Sequence, residues 1–441
     1  MTVTWAPGPD GIGPDIAKAA LREQRQIFLD IANRALREGK FPDAMKEAQL
    51  VLLPKPAKNK GDPIRYRPIS LLNVFGKVLE AMIEKRLSID IEAGGGLHAN
   101  QYGFRRGRST IGAMSEVVGI AREATRAASQ HQSFCVLVTL DVKNAFNMAR
   151  WSIIVEQLQS RWNVEGDLVR LVRSYLRDRV LLVGGNRRRM ALTCGVPQGS
   201  VLGPLLWNVF YDAIFDVEMP DGVTLVGYAD DLAVVAVDKS GENLRHKVNT
   251  ALVAVTEWLG DRHLQLATEK TEVVLLSGRR RLRNITVRLK DTEIKSQRWL
   301  KYLGVIFDKD LRMTEHVRQV ASRASEVAAR LCRLMPNVGG PGSSKRRSMG
   351  GVINSIILYG APIWCGALKY AKYTEMLLRV QRRMALRVCS SYRTVSLEAA
   401  LMVAGMIPID LLVEERTEAH RRVESDRHAL RQETMTKWQT R

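Results

Sequence analysis

A chain of 441 residues, 46% hydrophobic and 26% charged, has the composition of a folded globular protein and the length of roughly three domains, which excludes wholesale disorder. Its 67 Lys and Arg against 46 Asp and Glu leave a formal net charge of +21, which points to a polyanionic partner, nucleic acid or an acidic membrane surface. Cys135, Cys194, Cys332, Cys365 and Cys389 are never closer than 24 positions and form no CxxC, which excludes a disulfide framework and a zinc knuckle and leaves reduced thiols in an intracellular protein.

The opening MTVTWAPGPDGIGPD has no basic region before an apolar core, so no signal peptide is expected. Residues 1–13 read as an extended lead-in. Residues 14–40 read as helix, with Ile16, Ala20, Ile27, Ile31 and Leu36 near helical spacing and Gly39 at the stop. The run Leu50 to Leu53 and the segment Tyr66 to Ile69 read as two short extended pieces joined by a basic loop. Phe134 to Val142 is a nearly continuous run of β-formers, the pattern of a strand buried on both faces. Val223 to Val237 places two apolar runs around Tyr228-Ala229-Asp230-Asp231, which predicts a hairpin with two carboxylates at its tip. Residues 242–262 read as an amphipathic helix, Val273 to Ser277 and Tyr302 to Phe307 as strands, and the chain beyond 310 as helices with a loop at Asn337 to Ser344. Ser348 to Leu368 has 21 residues without a charge, the length of a membrane span. Asn354, Pro362 and four glycines within it favour a buried helix and turn. Positive charge concentrates in 311–400, with 15 Lys and Arg against 4 Asp and Glu, and in 279–301, with 9 against 2.

Asp141 closes a buried strand, and Asp230 and Asp231 sit at a hairpin tip. A charge beside so much apolar sequence is costly unless paired or metal-bound, and Mg²⁺ suits a site of a few carboxylates plus substrate phosphates. Asp-Asp alone reads as a turn; the flanking strands and the segments around it argue for more. Gly195-Val196-Pro197-Gln198-Gly199-Ser200 leads into an apolar helix, either as an ordinary connection or as a backbone surface near a base pair with Gln198 as a polar probe. Asn100 to Thr110, NQYGFRRGRST, interleaves aromatics with arginines, as a solvated basic loop or as a phosphate and stacking contact for a nucleic-acid strand.

The ordered set LVLLPKP with YRPISLL, NQYGFRRGRST, LDVKNAF, GVPQGSVLGP, YADDL, TEKTEVV and KYLGVIFD resembles the reverse transcriptase of non-LTR retrotransposons, nearest to the type-1 arthropod elements that insert into ribosomal RNA genes. The resemblance implies an α+β fold, a right-handed polymerase with fingers, a palm of antiparallel sheet plus helices, and a helical thumb. It divides the chain into an N-terminal extension at 1–48, fingers and palm at 49–310, and thumb and C-terminal segment at 311–441. It further implies that Asp141, Asp230 and Asp231 are catalytic and, with the Val142 carbonyl, hold two Mg²⁺ ions, with Mn²⁺ as a substitute. Lys270 would protonate the leaving pyrophosphate. Lys55 and Arg67 would hold the triphosphate, Phe146 would act as a steric gate against a ribose 2′-OH, and Gln198 and Gly199 would line the nascent base pair. Arg105, Arg106, Tyr302 and Gly304 would meet primer and template, with Tyr302-Leu303-Gly304 as the hairpin that grips the primer end. The implied partners are an RNA template, a DNA primer or nicked target DNA, and dNTPs, without a membrane, and the implied site of action is the nucleus. Full-length members of this class resemble larger polyproteins with an endonuclease before the polymerase and a Cys/His motif after it, so the chain is expected to be part of one. An RNA-dependent RNA polymerase would show Gly-Asp-Asp and a polar residue near Phe146; an intron maturase would add a splicing domain after the thumb; a dead, nucleic-acid-binding copy would bind without extending a primer.

Overall fold

The computed structural model describes residues 6–54, 66–126, 133–276, 282, 284–422 and 426–441. Among them the strands are, in chain order, β1 (Glu47–Pro54), β2 (Tyr66–Leu72), β3 (Phe134–Asp141), β4 (Val180–Val183), β5 (Arg188–Ala191), β6 (Val223–Tyr228), β7 (Asp231–Asp238), β8 (Glu272–Leu275), β9 (Thr286–Leu289), β10 (Thr292–Lys295), β11 (Trp299–Tyr302) and β12 (Val305–Asp308).

The spine is β3, inside a four-stranded sheet of order β6-β7-β3-β8 whose neighbours are all antiparallel. Its apolar run follows from cover on both faces. Val136, Val138 and Leu140 enter one core with residues of the helices Trp151–Ser160, Gly166–Leu176, Gly203–Tyr211 and Gly241–Asp261. Cys135 and Leu137 enter a second core with residues of the helix Thr110–Arg126 and of the later helices Thr314–Arg333, Ser343–Leu358 and Ala371–Val388. Each fully buried aliphatic side chain contributes about 1.5–3 kcal/mol, so the ladder holds its register firmly. A one-residue slip would exchange the two faces.

A second sheet, of order β2-β1-β4-β5, pairs β1 antiparallel with β2, Leu53 opposite Arg67, and parallel with β4. The two extended pieces expected around the basic loop are these strands; the loop itself, with Lys55, lies outside the described residues. The N-terminal helix forms as two, Pro14–Glu23 and Arg25–Glu38, broken at Gln24, with Gly39 closing the second in the left-handed conformation (φ 61°).

One expectation is corrected. Tyr302 to Phe307 is not one strand but the turn of the β11–β12 hairpin, with Tyr302 paired to Val305. Leu303 (φ 45°) and Gly304 (φ 89°) both take positive φ, as a tight two-residue hairpin turn requires. A leucine in the first turn position hides the signal. The uncharged stretch becomes the end of the helix Ser343–Leu358, a turn at Tyr359–Gly360, and short helices to Lys369, bent by 51°. Ile353, Ile357, Ile363 and Trp364 are buried in the second core, and among the described residues no single helix is long and apolar enough to cross a membrane.

His316 ties the helical part to this hairpin. It is 3% exposed, and its Nδ1 accepts the Ile306 N–H at 3.3 Å. Burial, with Lys301 nearby, lowers its pKa from 6.5 to about 4. The folded ring stays neutral where the unfolded ring binds a proton, so stability falls as pH drops from 6.5 towards 4. Chemical denaturation of wild type and His316→Gln should therefore diverge over that window, wild type losing roughly 3 kcal/mol more than the variant between pH 7 and pH 4. Parallel curves would remove His316 as the cause.

Candidate active site

The register of the central ladder decides the geometry. Asp141, the last residue of β3, lies directly opposite Asp231, the first of β7, and Tyr228 pairs with Asp231 to leave Ala229 and Asp230 as the hairpin tip. The sequence-predicted hairpin is thus formed, and it brings the three aspartates to one end of the sheet. Burial raises the pKa of Asp230, with Asp141 adding to the rise and Arg67 and Lys270 opposing it. Partial burial, then the charges of Asp230 and Asp141, push Asp231 up to about 6. Lys270 follows a short turn and places Nζ 2.5 Å from Asp141 Oδ2. Beneath the pair, the buried Tyr211 phenol is held protonated by burial and by the two carboxylates above it.

The tip is held from outside the sheet. Ala229 has φ 58°, a conformation that costs an L-residue about 1–2 kcal/mol. The segment Asn100–Tyr102 extends the sheet against it: Tyr102 N–H donates to the Gly227 carbonyl at 2.8 Å, and Gly227 N–H to the Asn100 carbonyl at 2.9 Å. Gly103 then passes so close that a Cβ there would lie 2.1 Å from Ala229 N. Asn208, fully buried, donates to the Gly103 carbonyl at 2.9 Å. Only glycine fits, for reasons of approach and not of φ.

The 195–200 loop is laced to its surroundings by its backbone. Val196 N–H donates to the Phe146 carbonyl and Gly195 N–H to that of Ala149, each at 2.8 Å, and Ser70 N–H of β2 donates to the Gln198 carbonyl at 2.8 Å. Gly199 (φ 109°) passes over β2, where a Cβ would meet the Ser70 carbonyl oxygen at 2.8 Å. The loop enters its helix over Glu80, which is 1% exposed and whose carboxylate accepts the N–H groups of Val201 (2.7 Å) and Leu202 (3.3 Å). Burial raises the Glu80 pKa, against the buried Arg179 guanidinium and these two donors. Phe146 is half-buried, stacked on Trp207 at 5.2 Å with Phe104 edge-on at 5.9 Å. Arg67 is exposed on β2, near enough to Asp230 to act on its charge. Val142 is buried and bridges to Leu266, yet the bonds of that bridge run from Lys143 N–H to Gln265 and from Ala267 N–H to the Asp141 carbonyl. Its own carbonyl takes no part in them.

A cavity of about 300 Å³ joins Asp141, Asp231 and Lys270 to Lys301, Leu303 and Gly304, so the β11–β12 turn walls the carboxylates. Tyr302, expected at primer or template, also lines this cavity. The Tyr302 ring is 2% exposed and packs edge-on to Phe307 at 5.8 Å in the second core, because alternate positions of β11 face inward. Arg105 donates from Nη1 to the His98 carbonyl at 2.7 Å and faces Glu92 at 4.0 Å. Arg106 and Gly304 are exposed. Sequence reasoning missed Tyr359, whose hydroxyl donates to the Leu303 carbonyl at 2.8 Å and whose ring would meet a Cβ on Gly304 at 2.8 Å. The signal was the turn inside the uncharged stretch, LYGAPIW.

A family model for reverse transcriptase (RNA-dependent DNA polymerase) matches residues 53–307. The chain belongs to this family. The LDV, YADDL and TEVV segments meet in the sheet β6-β7-β3-β8, while β1 and β2 belong to a second sheet and β11–β12 to a separate hairpin, a mixed helix-and-sheet architecture consistent with the polymerase fold expected from the motifs. The chain is 31% identical over 410 residues to a 115 kDa protein in the type-1 retrotransposable element R1DM of Drosophila melanogaster, covering 92% of this chain and 39% of that one. It is 28% identical over 339 residues to the RNA-directed DNA polymerase from mobile element jockey of the same organism, covering 75% and 36%. The chain therefore spans less than half the length of these relatives. A solved apo telomerase from Candida tropicalis aligns over 95% of this chain and 74% of that chain, with TM-score 0.46 and 10% identity.

Gly103→Ala should lower unfolding stability by about 1–3 kcal/mol and, by moving the aspartate tip, slow nucleotide incorporation about 10²-fold. Gly119→Ala, an open helical position with nothing within 4 Å, should be neutral or stabilising by up to about 1 kcal/mol. Denaturation and single-nucleotide incorporation on both variants check the contrast; equal behaviour would remove the close approach as the constraint.

Proposed function

We propose that this chain is an RNA-directed DNA polymerase that extends a primer 3′-hydroxyl with dNTPs on an RNA template. The observation that carries the reading is the pairing of Asp141 with Asp231 at the end of a two-sided ladder, with Asp230 at the tip beside them.

The donor set suits Mg²⁺. Hard oxygen ligands converge, two of them with raised pKa, the Val142 carbonyl stands uncommitted in its bridge, and in the free chain the Lys270 ammonium lies against Asp141. Among the described residues no group of three or more His, Cys, Asp or Glu is placed to hold a metal ion by itself, so water and substrate phosphates would have to complete the shell. Asp141, Asp230, Asp231 and the Val142 carbonyl would hold it, two ions in all. When bound, Mg²⁺ supplies Lewis acidity at the attacking hydroxyl and charge neutralisation at the α-phosphate.

The chain's own groups do the rest. Arg67, with Lys55 on the adjoining loop, would neutralise the triphosphate, which is how catalysis by positioning and charge works in phosphoryl transfer. Lys270 would exchange Asp141 for the substrate and give its proton to the departing pyrophosphate as the α–β P–O bond breaks. Phe146, fixed by Trp207 behind it, would crowd a 2′-OH. Gln198 and Gly199 would present a backbone surface to the new base pair. The exposed Leu303–Gly304 turn and Arg106 would meet primer and template, and a nicked chromosomal strand as primer would place the reaction in the nucleus.

Primer extension on an RNA template annealed to a DNA primer, with Mg²⁺, tests the reading. Wild type should use dNTPs and not rNTPs, and Asp230→Ala should lose extension by about 10³-fold or more while still binding the duplex. Phe146→Val should raise rNTP use relative to dNTP by about 10–200-fold, the range of one pocket contact. Extension by Asp230→Ala at the wild-type rate, or equal use of rNTPs by wild type, would contradict it.

A further inference from the structure

We propose that a groove beyond the catalytic cleft, between the outer end of the β11–β12 hairpin and the start of the helix Ala371–Val388, binds single-stranded nucleic acid by base stacking. The groove has a volume of about 680 Å³ and is lined by Trp299, Tyr370, Arg298, Lys309, Arg312 and Lys372 among others. Trp299 is 40% exposed and Tyr370 46%, two large rings turned to one open channel. Aromatic faces inside a positive groove are the recognition chemistry of unpaired strands, because every base offers a π-face and every step a phosphate.

The charge balance favours a polyanion over an acidic or a basic peptide. The four cations are exposed, and none has an ion-pair partner among the described residues. Three carboxylates share the lining, Asp308, Asp310 and Glu315, against these four cations, and two of the three are bonded within the protein. The Asp308 carboxylate accepts the N–H groups of Arg312 at 2.8 Å and Thr314 at 3.1 Å, and Glu315 pairs with Arg318 at 3.8 Å. Asp310 is left as the one uncommitted carboxylate of the lining. The place is also apt. Trp299 and Lys301 share the exposed face of β11, about 7 Å apart, and Lys301 lines the cavity of Asp141 and Asp231. A strand leaving that cavity along the hairpin face arrives at Trp299.

The proposal goes beyond the polymerase reading and is tested without synthesis. Labelled 12-nucleotide oligo(rU) and oligo(dT) are titrated with the full chain by fluorescence anisotropy. Trp299→Ala combined with Tyr370→Ala should weaken single-strand binding about tenfold or more, and Trp299→Phe with Tyr370→Phe should restore it to within about threefold. Arg298→Gln with Lys372→Gln should flatten the salt dependence by about 1.4 in slope, two phosphates' worth for a single strand. Binding of a blunt ten-base-pair RNA–DNA duplex should stay at wild-type level in the double alanine variant. Tighter binding of one oligonucleotide would name RNA or DNA as the strand held. Wild-type affinity in the double alanine variant, failure of the phenylalanine pair to restore binding, or an equal loss on the blunt duplex would overturn the proposal. Those results stand whether or not the chain extends primers.

Discussion

Two like charges face each other across a β-ladder that has no freedom to separate them. Asp141 and Asp231 are partners in register, and that register is locked by apolar side chains entering a core on each face of β3. A soluble sheet ordinarily avoids like charges at directly opposed positions. Here the repulsion is stored at the mouth of a cleft, where the proposed cation would relieve it. Burial and neighbouring carboxylates hold Asp231 near 6, so in the range from about 4 to 6 the folded chain keeps a proton the unfolded chain has lost, and stability declines as pH rises through that window.

Most of the surrounding structure can be read as support for that strained point. Gly103 and Asn208 hold the tip in place from one side. The buried Glu80 carboxylate fastens the end of the 195–200 loop, while Ser70 ties the same loop to the β1–β2 sheet. Tyr359 reaches from the later helices to the Leu303 carbonyl and ties the wall of the cleft to them. Phe146 is backed by a row of rings, Trp207 and then Tyr211, and rigid backing is what a steric filter requires.

Much of this was legible in the sequence where the signal is local. β3 announced itself by an unbroken apolar run, and the aspartate hairpin by two such runs around a polar tip; their pairing followed from the resemblance to reverse transcriptases. What stayed hidden depends on partners far along the chain. Glu80 meets Val201 across 121 positions and Tyr359 meets Leu303 across 56, and nothing in either local pattern marks the contact. Arg105 and Tyr302 were expected at the nucleic acid because arginines and aromatics in a recognised segment invite that reading. The fold bonds Arg105 to the His98 carbonyl and buries the Tyr302 ring against the core beside the cavity that it helps to line. The resemblance placed a hairpin at Tyr302-Leu303-Gly304, where the β11–β12 turn lies; the local reading of 302–307 as a strand missed it because Leu303 adopts positive φ, which a leucine does only when the rest of the hairpin compels it.

The most direct test of the account is thermal unfolding of wild type and Asp231→Asn at pH 7, each with and without Mg²⁺. If the carboxylates repel in the free chain and share a cation when one is supplied, Asp231→Asn melts above wild type without the ion. Mg²⁺ then stabilises wild type, by about 2.7 kcal/mol at a hundred times its dissociation constant, and leaves the variant nearly unmoved, so the order reverses. A variant that melts below wild type without Mg²⁺, and an ion that shifts both proteins equally, would contradict the claim that the structure is arranged around this pair.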